Sequence, residues 1–251
     1  MSYNISSDRF DNPLLKDLLK ELNNVFESLD MNFYVIGATA RDIILNNLHD
    51  LVPERKTVDL DIAIAISDWN QFQIIEENLI AKEDGNIYWL PDETIAMSVW
   101  GFPEMADAII NIEVDGEFTI KTASLPGLFM LKLVAWNDRH LSGSKDAYDM
   151  VLLLTNYLDI NTERAVEEHY DLYEAEKFDL VIAGARLMAK DIKLLVRKNE
   201  KTMRYLIGII SKEIKLAEES PLINQLLESD ASLQYEQVLS CLESILEEWE
   251  S

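Results

Sequence analysis

The sequence predicts an α+β fold in which strands and helices interleave over about the first 155 residues, with an all-helical region behind. Three observations carry this expectation. Apolar residues alternate with small or acidic ones from Val58 to Ile66, Asp115-Gly116 divides two strand-like runs, and only helical spacing occurs from Thr162 onward.

With 251 residues and 48% hydrophobic content, the chain can bury a sizeable core as one large domain or two small ones. Two are expected, 1–158 and 159–251, with a soft boundary because no flexible linker marks it. No run of 18 apolar residues occurs and Met1 to Phe10 is polar, which points to a soluble, cytoplasmic protein without a membrane partner. The single cysteine, Cys241, sits among Leu239, Leu242 and Ile245 at helical spacing and reads as a packing residue. A net charge of −24 repels phosphate backbones and argues against non-specific DNA binding. Residues 1–155 hold 26 acidic and 11 basic side chains, against 20 and 11 in residues 156–251, so the first part is the more acidic.

Taken in order, Asn12-Pro13 reads as an N-cap and first helical residue, and Leu14 to Leu29 recur on an amphipathic face. Phe33-Tyr34-Val35-Ile36 is a short buried strand that stops at Gly37, and Ala40 to Leu48 returns to helix. In Val58 to Ile66, the apolar set Val58, Leu60, Ile62, Ile64 and Ile66 faces one way and Asp59 and Asp61 the other. Ser67 caps a helix carrying Trp69, Phe72, Ile75 and Leu79, and a β-rich stretch begins near Gly85. The hairpin turns at Asp115-Gly116. Two helices, Ser124 to His140 and Lys145 to Leu158, flank Ser142-Gly143-Ser144.

Two carboxylates on one strand face repel unless something neutralises them. A divalent cation does this, and an all-oxygen set favours Mg2+ or Mn2+. The other reading of Asp59 and Asp61 is a polar outer face on an edge strand. Gly37 closes its strand where a side chain would block a phosphate, and Thr39 adds a hydroxyl; an ordinary β–α turn is the alternative. Lys132 and Arg139 share one helix face, and Asp146 and Asp149 share another on the next helix. They read either as an ion-pair network or as a polar site. Arg186, Lys190, Lys193, Arg197, Lys201 and Arg204 form a basic stripe on one helix or on two nearly collinear ones, read as a solvated, acid-paired face or as a tRNA or nucleotide contact. His49, His140 and His169 lack zinc-ligand spacing.

The segments Tyr34-Val35-Ile36-Gly37-Ala38-Thr39-Ala40-Arg41-Asp42 and Val58-Asp59-Leu60-Asp61-Ile62 resemble the nucleotidyltransferase superfamily related to DNA polymerase beta. The run Lys132…Arg139…Lys145-Asp146-Ala147-Tyr148-Asp149 is similar to the signature of nucleotidyltransferases allied to AbiEii-type abortive-infection toxins. The resemblance covers about residues 30–158. It implies a nucleotidyltransferase-type mixed sheet flanked by helices, followed by a C-terminal helical region. It further implies Asp59 and Asp61 as catalytic metal ligands, and a nucleoside triphosphate held by Gly37, Ala38, Thr39, Arg41, Lys132, Arg139, Lys145, Asp146 and Asp149. The implied reaction is Mg2+- or Mn2+-dependent transfer of a nucleoside monophosphate to a protein, tRNA or small-molecule hydroxyl, in a toxin–antitoxin setting.

In two places the sequence departs from the family pattern. Ala38 supplies no serine hydroxyl, and 21 residues separate Gly37 from Asp59. A third carboxylate strand is also expected, yet only a few residues lie between Ile80 and Asn86, and Glu113 is the one substitute. The alternative function is therefore a catalytically impaired binding or antitoxin-like module on the same fold.

Overall fold

The structure, a computed structural model, describes residues 2–10, 12, 14–52, 60–64, 69–80, 108–174 and 177–251. By packing it divides into two compact units, Met1–Gly101 with Ile109–Ser124 and Phe102–Ala108 with Leu125–Ser251. The fold is α+β, a mixed sheet with flanking helices followed by a helical region.

In the first unit, β1 (Ser2–Ile5), β2 (Phe33–Ile36), β3 (Asp61–Ile64), β4 (Ile109–Val114) and β5 (Phe118–Ala123) form one sheet in the order β1-β4-β5-β2-β3. Pairs β1/β4 and β2/β5 are parallel, and β4/β5 and β2/β3 antiparallel, so the sheet is mixed. Strand alternation buries Phe33, Val35, Ile112, Val114, Ile120 and Thr122 on one face. Against it lies α1 (Leu14–Ser28), with Leu19, Leu22, Val25 and Phe26 buried and the Phe26 and Phe33 rings 5.0 Å apart. Asn12 Oδ1 accepts from Leu14 N at 3.0 Å, the capping bond its sequence position suggests. The β4–β5 hairpin turns through Asp115 (φ 52°) and Gly116 (φ 69°), both left-handed, with Glu117 as the third loop residue between the paired Val114 and Phe118. Lys16 holds this turn, with its ammonium 2.6 Å from Asp115 and 2.9 Å from Glu117.

After β2 the chain enters α2 (Gly37–Asp42), which continues directly into a π-helical segment, Ile43–Leu48. At the C-terminal end of this segment, where helix carbonyls lack intrahelical partners, Arg9 donates to Asn47 O at 2.6 Å and to Asn46 O at 3.2 Å. Asn47 answers by donating to Arg9 O at 2.8 Å. Helix α3 spans Trp69–Ile80.

The second unit is helical: α4 (Leu125–Arg139), α5 (Lys145–Ile160), α6 (Thr162–Glu168), α7 (Leu180–Val196), α8 (Glu200–Leu216), α9 (Pro221–Ser229) and α10 (Tyr235–Glu250). Helix α7 is central, packing on α5 and α10. Gly184 permits the first contact, since a Cβ there would meet Leu154 O at 3.0 Å. Side-chain oxygens of Asp179, Asn199 and Ser220 cap α7, α8 and α9. Trp249 donates to Ala189 O at 3.1 Å, fixing α10 on α7. Cys241 is buried here, with its thiol pushed up to about 12 by burial and by Asp179, in line with a packing role. Among the described residues no helix is long and apolar enough to cross a membrane.

Candidate functional site

The turn from β2 into α2 brings two of the expected residues together. Gly37 adopts φ 65° and directly follows Ile36, whose partner across the antiparallel β2/β3 pair is Asp61, the first residue of β3. The Asp61 carboxylate consequently lies against the Cα of Gly37. A Cβ on residue 37 would stand 2.9 Å from both Cβ and Cγ of Asp61 and would overlap its Oδ2. Glycine is required here twice over, for the left-handed backbone and for the room that the carboxylate occupies. Asp61 is half-buried, on the sheet face opposite Val35 and Ile112. Asp59 lies outside the described residues, as do Ser67 and the interval between Ile80 and Asn86 to which the family pattern would assign a third carboxylate strand.

The rest of the turn is inward-facing. Ala38 is half-buried and Thr39 is buried. Arg41 is 1% exposed, with its guanidinium on the adjacent Asp42 at 2.5 and 2.7 Å. Asp42 had no role beyond its place in the Arg41-Asp42 pair, and that adjacency was the signal for the ion pair.

Glu113 shares the sheet face of Asp61, yet the register separates them. The row through Asp61 runs Ile36, Ala123, Ile109, and Glu113 is four residues further along β4. Three strand spacings and four residue rises put them about 20 Å apart. Glu113 therefore cannot complete a metal site with Asp61. Among the described residues no group of three or more His, Cys, Asp or Glu is arranged to hold a metal. The donor that is described, the Asp61 carboxylate, is an oxygen ligand of the kind a hard cation takes.

The second constellation belongs to the helical unit. Lys132 Nζ on α4 stands 2.6 Å from Asp149 Oδ2 and 3.3 Å from Asp146 Oδ1, both on α5. The shorter contact is an ion pair without hydrogen-bond alignment, because Asp149 Oδ2 has no hydrogen bond in the structure. Arg139 makes a two-pronged contact with Asp146, Nε to Oδ2 at 2.9 Å and an Nη to Oδ1 at 3.0 Å. Burial raises the Asp146 carboxyl, but the Arg139 hydrogen bonds and the Lys132 charge outweigh it, leaving the group below its ordinary value. Both aspartates are buried, Lys132 is 13% exposed and Arg139 52%. Lys145, the first residue of α5, is exposed. The geometry realises the ion-pair network, and within it only the arginine combines a fixed guanidinium with wide access to solvent.

The basic stripe spans two helices, because the chain turns at 197–199 between α7 and α8. Arg186 and Lys190 face Asp171 and Glu248 at 3.5–3.8 Å, Lys193 donates to Glu248 O at 2.9 Å, and Arg204 pairs with Glu200 at 2.6 Å. Three of the six, Arg186, Lys190 and Arg204, are acid-paired.

Residues 85–238 match the family model described as nucleotidyl transferase AbiEii toxin, type IV toxin–antitoxin system. Neither the curated proteins nor the solved structures include a match to the chain.

Proposed function

The chain belongs to the AbiEii nucleotidyl transferase toxin family, and on that premise we propose that it transfers a nucleoside monophosphate from a nucleoside triphosphate to an acceptor hydroxyl on a protein, an RNA such as tRNA or a small molecule. It would act in the cytoplasm as one component of a toxin–antitoxin system, without non-specific DNA binding. In this reaction the acceptor oxygen bonds to the α-phosphorus, the P–O bond to the β-phosphate breaks, and pyrophosphate departs with the electron pair. The hydroxyl proton passes to a carboxylate or to water.

The observation that carries the reading is the Asp61 carboxylate seated against the left-handed Gly37 turn. Asp61, with Asp59 two residues earlier, would hold Mg2+ or Mn2+, whose charge when bound offsets that of the triphosphate. Gly37, Ala38 and Thr39 on that turn would meet the phosphates, with Gly37 making the room that the Asp61 carboxylate occupies. Arg41, buried on Asp42, is a positioning residue for that turn. Lys132, Arg139, Lys145, Asp146 and Asp149 form the second nucleotide-binding element of the proposal, with Arg139 as its exposed cation and the aspartates holding it in orientation. The nucleotidyltransferase domain is taken as 1–158 and the helical region as 159–251.

The test is label transfer from α-labelled nucleoside triphosphates with Mg2+ or Mn2+, beside the melting shift each triphosphate produces. Wild type should release pyrophosphate and shift upward, and Asp61→Ala should do neither. A shift in wild type without transfer to protein, RNA or added acceptors would favour the binding or antitoxin-like module. No metal-dependent shift at all would sink both.

A further inference from the structure

Between α6 and α7 the helical unit exposes aromatic surface that the nucleotidyl transfer reading does not use. The short turn Tyr170–Tyr173 and the approach to α7 bring three rings together in series, Tyr170 tilted 38° at 6.0 Å from Tyr173, and Tyr173 stacked on Phe178 at 5.4 Å with an interplanar angle of 16°. Tyr170 is 62% exposed and Phe178 46%, and Val166 and Leu180 are exposed as well. The segment is anchored, since Leu172 is buried and the turn packs on α7. Exposed rings held in a fixed ladder lower the entropy cost of docking, which is what contact surfaces need.

The charge around the ladder selects the occupant. Exposed carboxylates Glu163, Glu167, Glu168, Asp171 and Glu174 border it. Of the nearby cations, Arg164 is bound two-pronged to Asp191 at 2.5 and 2.8 Å, and Arg186 and Lys190 face Asp171 and Glu248, which leaves the exposed Lys177 beside Phe178 outnumbered by the carboxylates. Phosphate backbones are repelled by such a rim. Guanidinium and ammonium groups are attracted both by the carboxylates and by the faces of the rings. We propose that the Tyr170–Tyr173–Phe178 face docks an arginine- or lysine-rich segment of a protein partner. The contact is independent of the nucleotide chemistry.

The experiment measures fluorescence anisotropy of a labelled peptide of alternating arginine and leucine on the full chain. A single-stranded oligonucleotide and the same peptide with glutamate for arginine serve as competitors. Removing the ladder in Tyr170→Ser/Phe178→Ser, or reversing its rim in Glu167→Lys/Glu174→Lys, should weaken peptide binding at least tenfold. The charge-matched control Glu219→Lys/Glu228→Lys, on exposed glutamates elsewhere, should change it less than twofold. Because all of these positions are at the surface, circular dichroism should be unchanged in each variant, and Tyr170→Phe should retain binding. Equal weakening by the control pair would reduce the effect to bulk charge and overturn the proposal. So would oligonucleotide binding that the ladder variants abolish, or self-association that they abolish, because the face would then serve a nucleic acid or a second copy.

Discussion

Replacing Gly37 by alanine tests the contact on which the functional reading rests. Alanine would have to keep φ near 65°, at a cost of about 1–2 kcal/mol for a residue with a Cβ. That Cβ would also lie 2.9 Å from two atoms of the Asp61 side chain. Relieving such an overlap by shifting β3 or the carboxylate costs about 1–3 kcal/mol more. Together, a loss of about 2–5 kcal/mol is expected, read as a lower urea midpoint at unchanged slope. The decisive measurement is the same substitution in an Asp61→Gly background, where no side chain remains to collide with. There it should cost only the left-handed strain, about 1–2 kcal/mol, leaving a coupling of about 1–3 kcal/mol between the two positions. If Gly37→Ala costs the same in both backgrounds, the packing of Asp61 on the glycine is not what fixes the residue type at 37.

Lys132→Met leaves buried Asp149 without its ammonium and should cost about 3–5 kcal/mol, whereas Arg139→Ala, at a half-exposed site, should cost about 1 kcal/mol in unfolding experiments; the reverse order would refute the assignment of Lys132 as the structural cation. The Asp146 carboxyl is held below its ordinary value in the folded chain, so its contribution is present above the unfolded value near 3.9 and is lost as pH falls through the lower folded one. Asp146→Asn should therefore show a shallower stability loss on acidification from about pH 4 downward than wild type, and parallel acid limbs would contradict this. Buried Cys241, with its thiol raised to about 12, should resist a thiol reagent at pH 8 in the native state and react fully in denaturant; rapid native labelling would show that the helix core opens.

Much of this architecture was legible because local chemistry and tertiary demand agree. Asp115-Gly116 can hardly be anything but a hairpin turn, and Asn12 announces its helix by the one oxygen that can reach Leu14 N. Gly37 was legible as a strand-ending turn, but not its second reason, the carboxylate of Asp61, which depends on a strand 24 residues later in the chain. Three features escaped for physical reasons. β1 is four residues with Ile5 its one buried apolar side chain, too short and polar to announce a strand before β4 is there to pair with it. The π-helical segment shows the same apolar spacing as an α-helix, so its sequence does not separate the two windings, and the Arg9 contacts at its end come from a residue distant in sequence. The burial of Arg41 is not legible from its own charge, because it depends on Asp42 beside it supplying the counter-charge.

The small strand β1 has an outsized consequence for handling the protein. It covers the outer edge of β4 along Asn111 to Val114, in parallel register from Ser2 opposite Asn111 to Ile5 opposite Val114. Without it, a hydrophobic strand holding Ile112 and Val114 would offer a row of unpaired amides and carbonyls, a template on which another chain can add. The strand Ser2–Ile5 thus works as a guard strip along that edge. A substitution that loosens it from β4 bears on colloidal behaviour before it bears on chemistry.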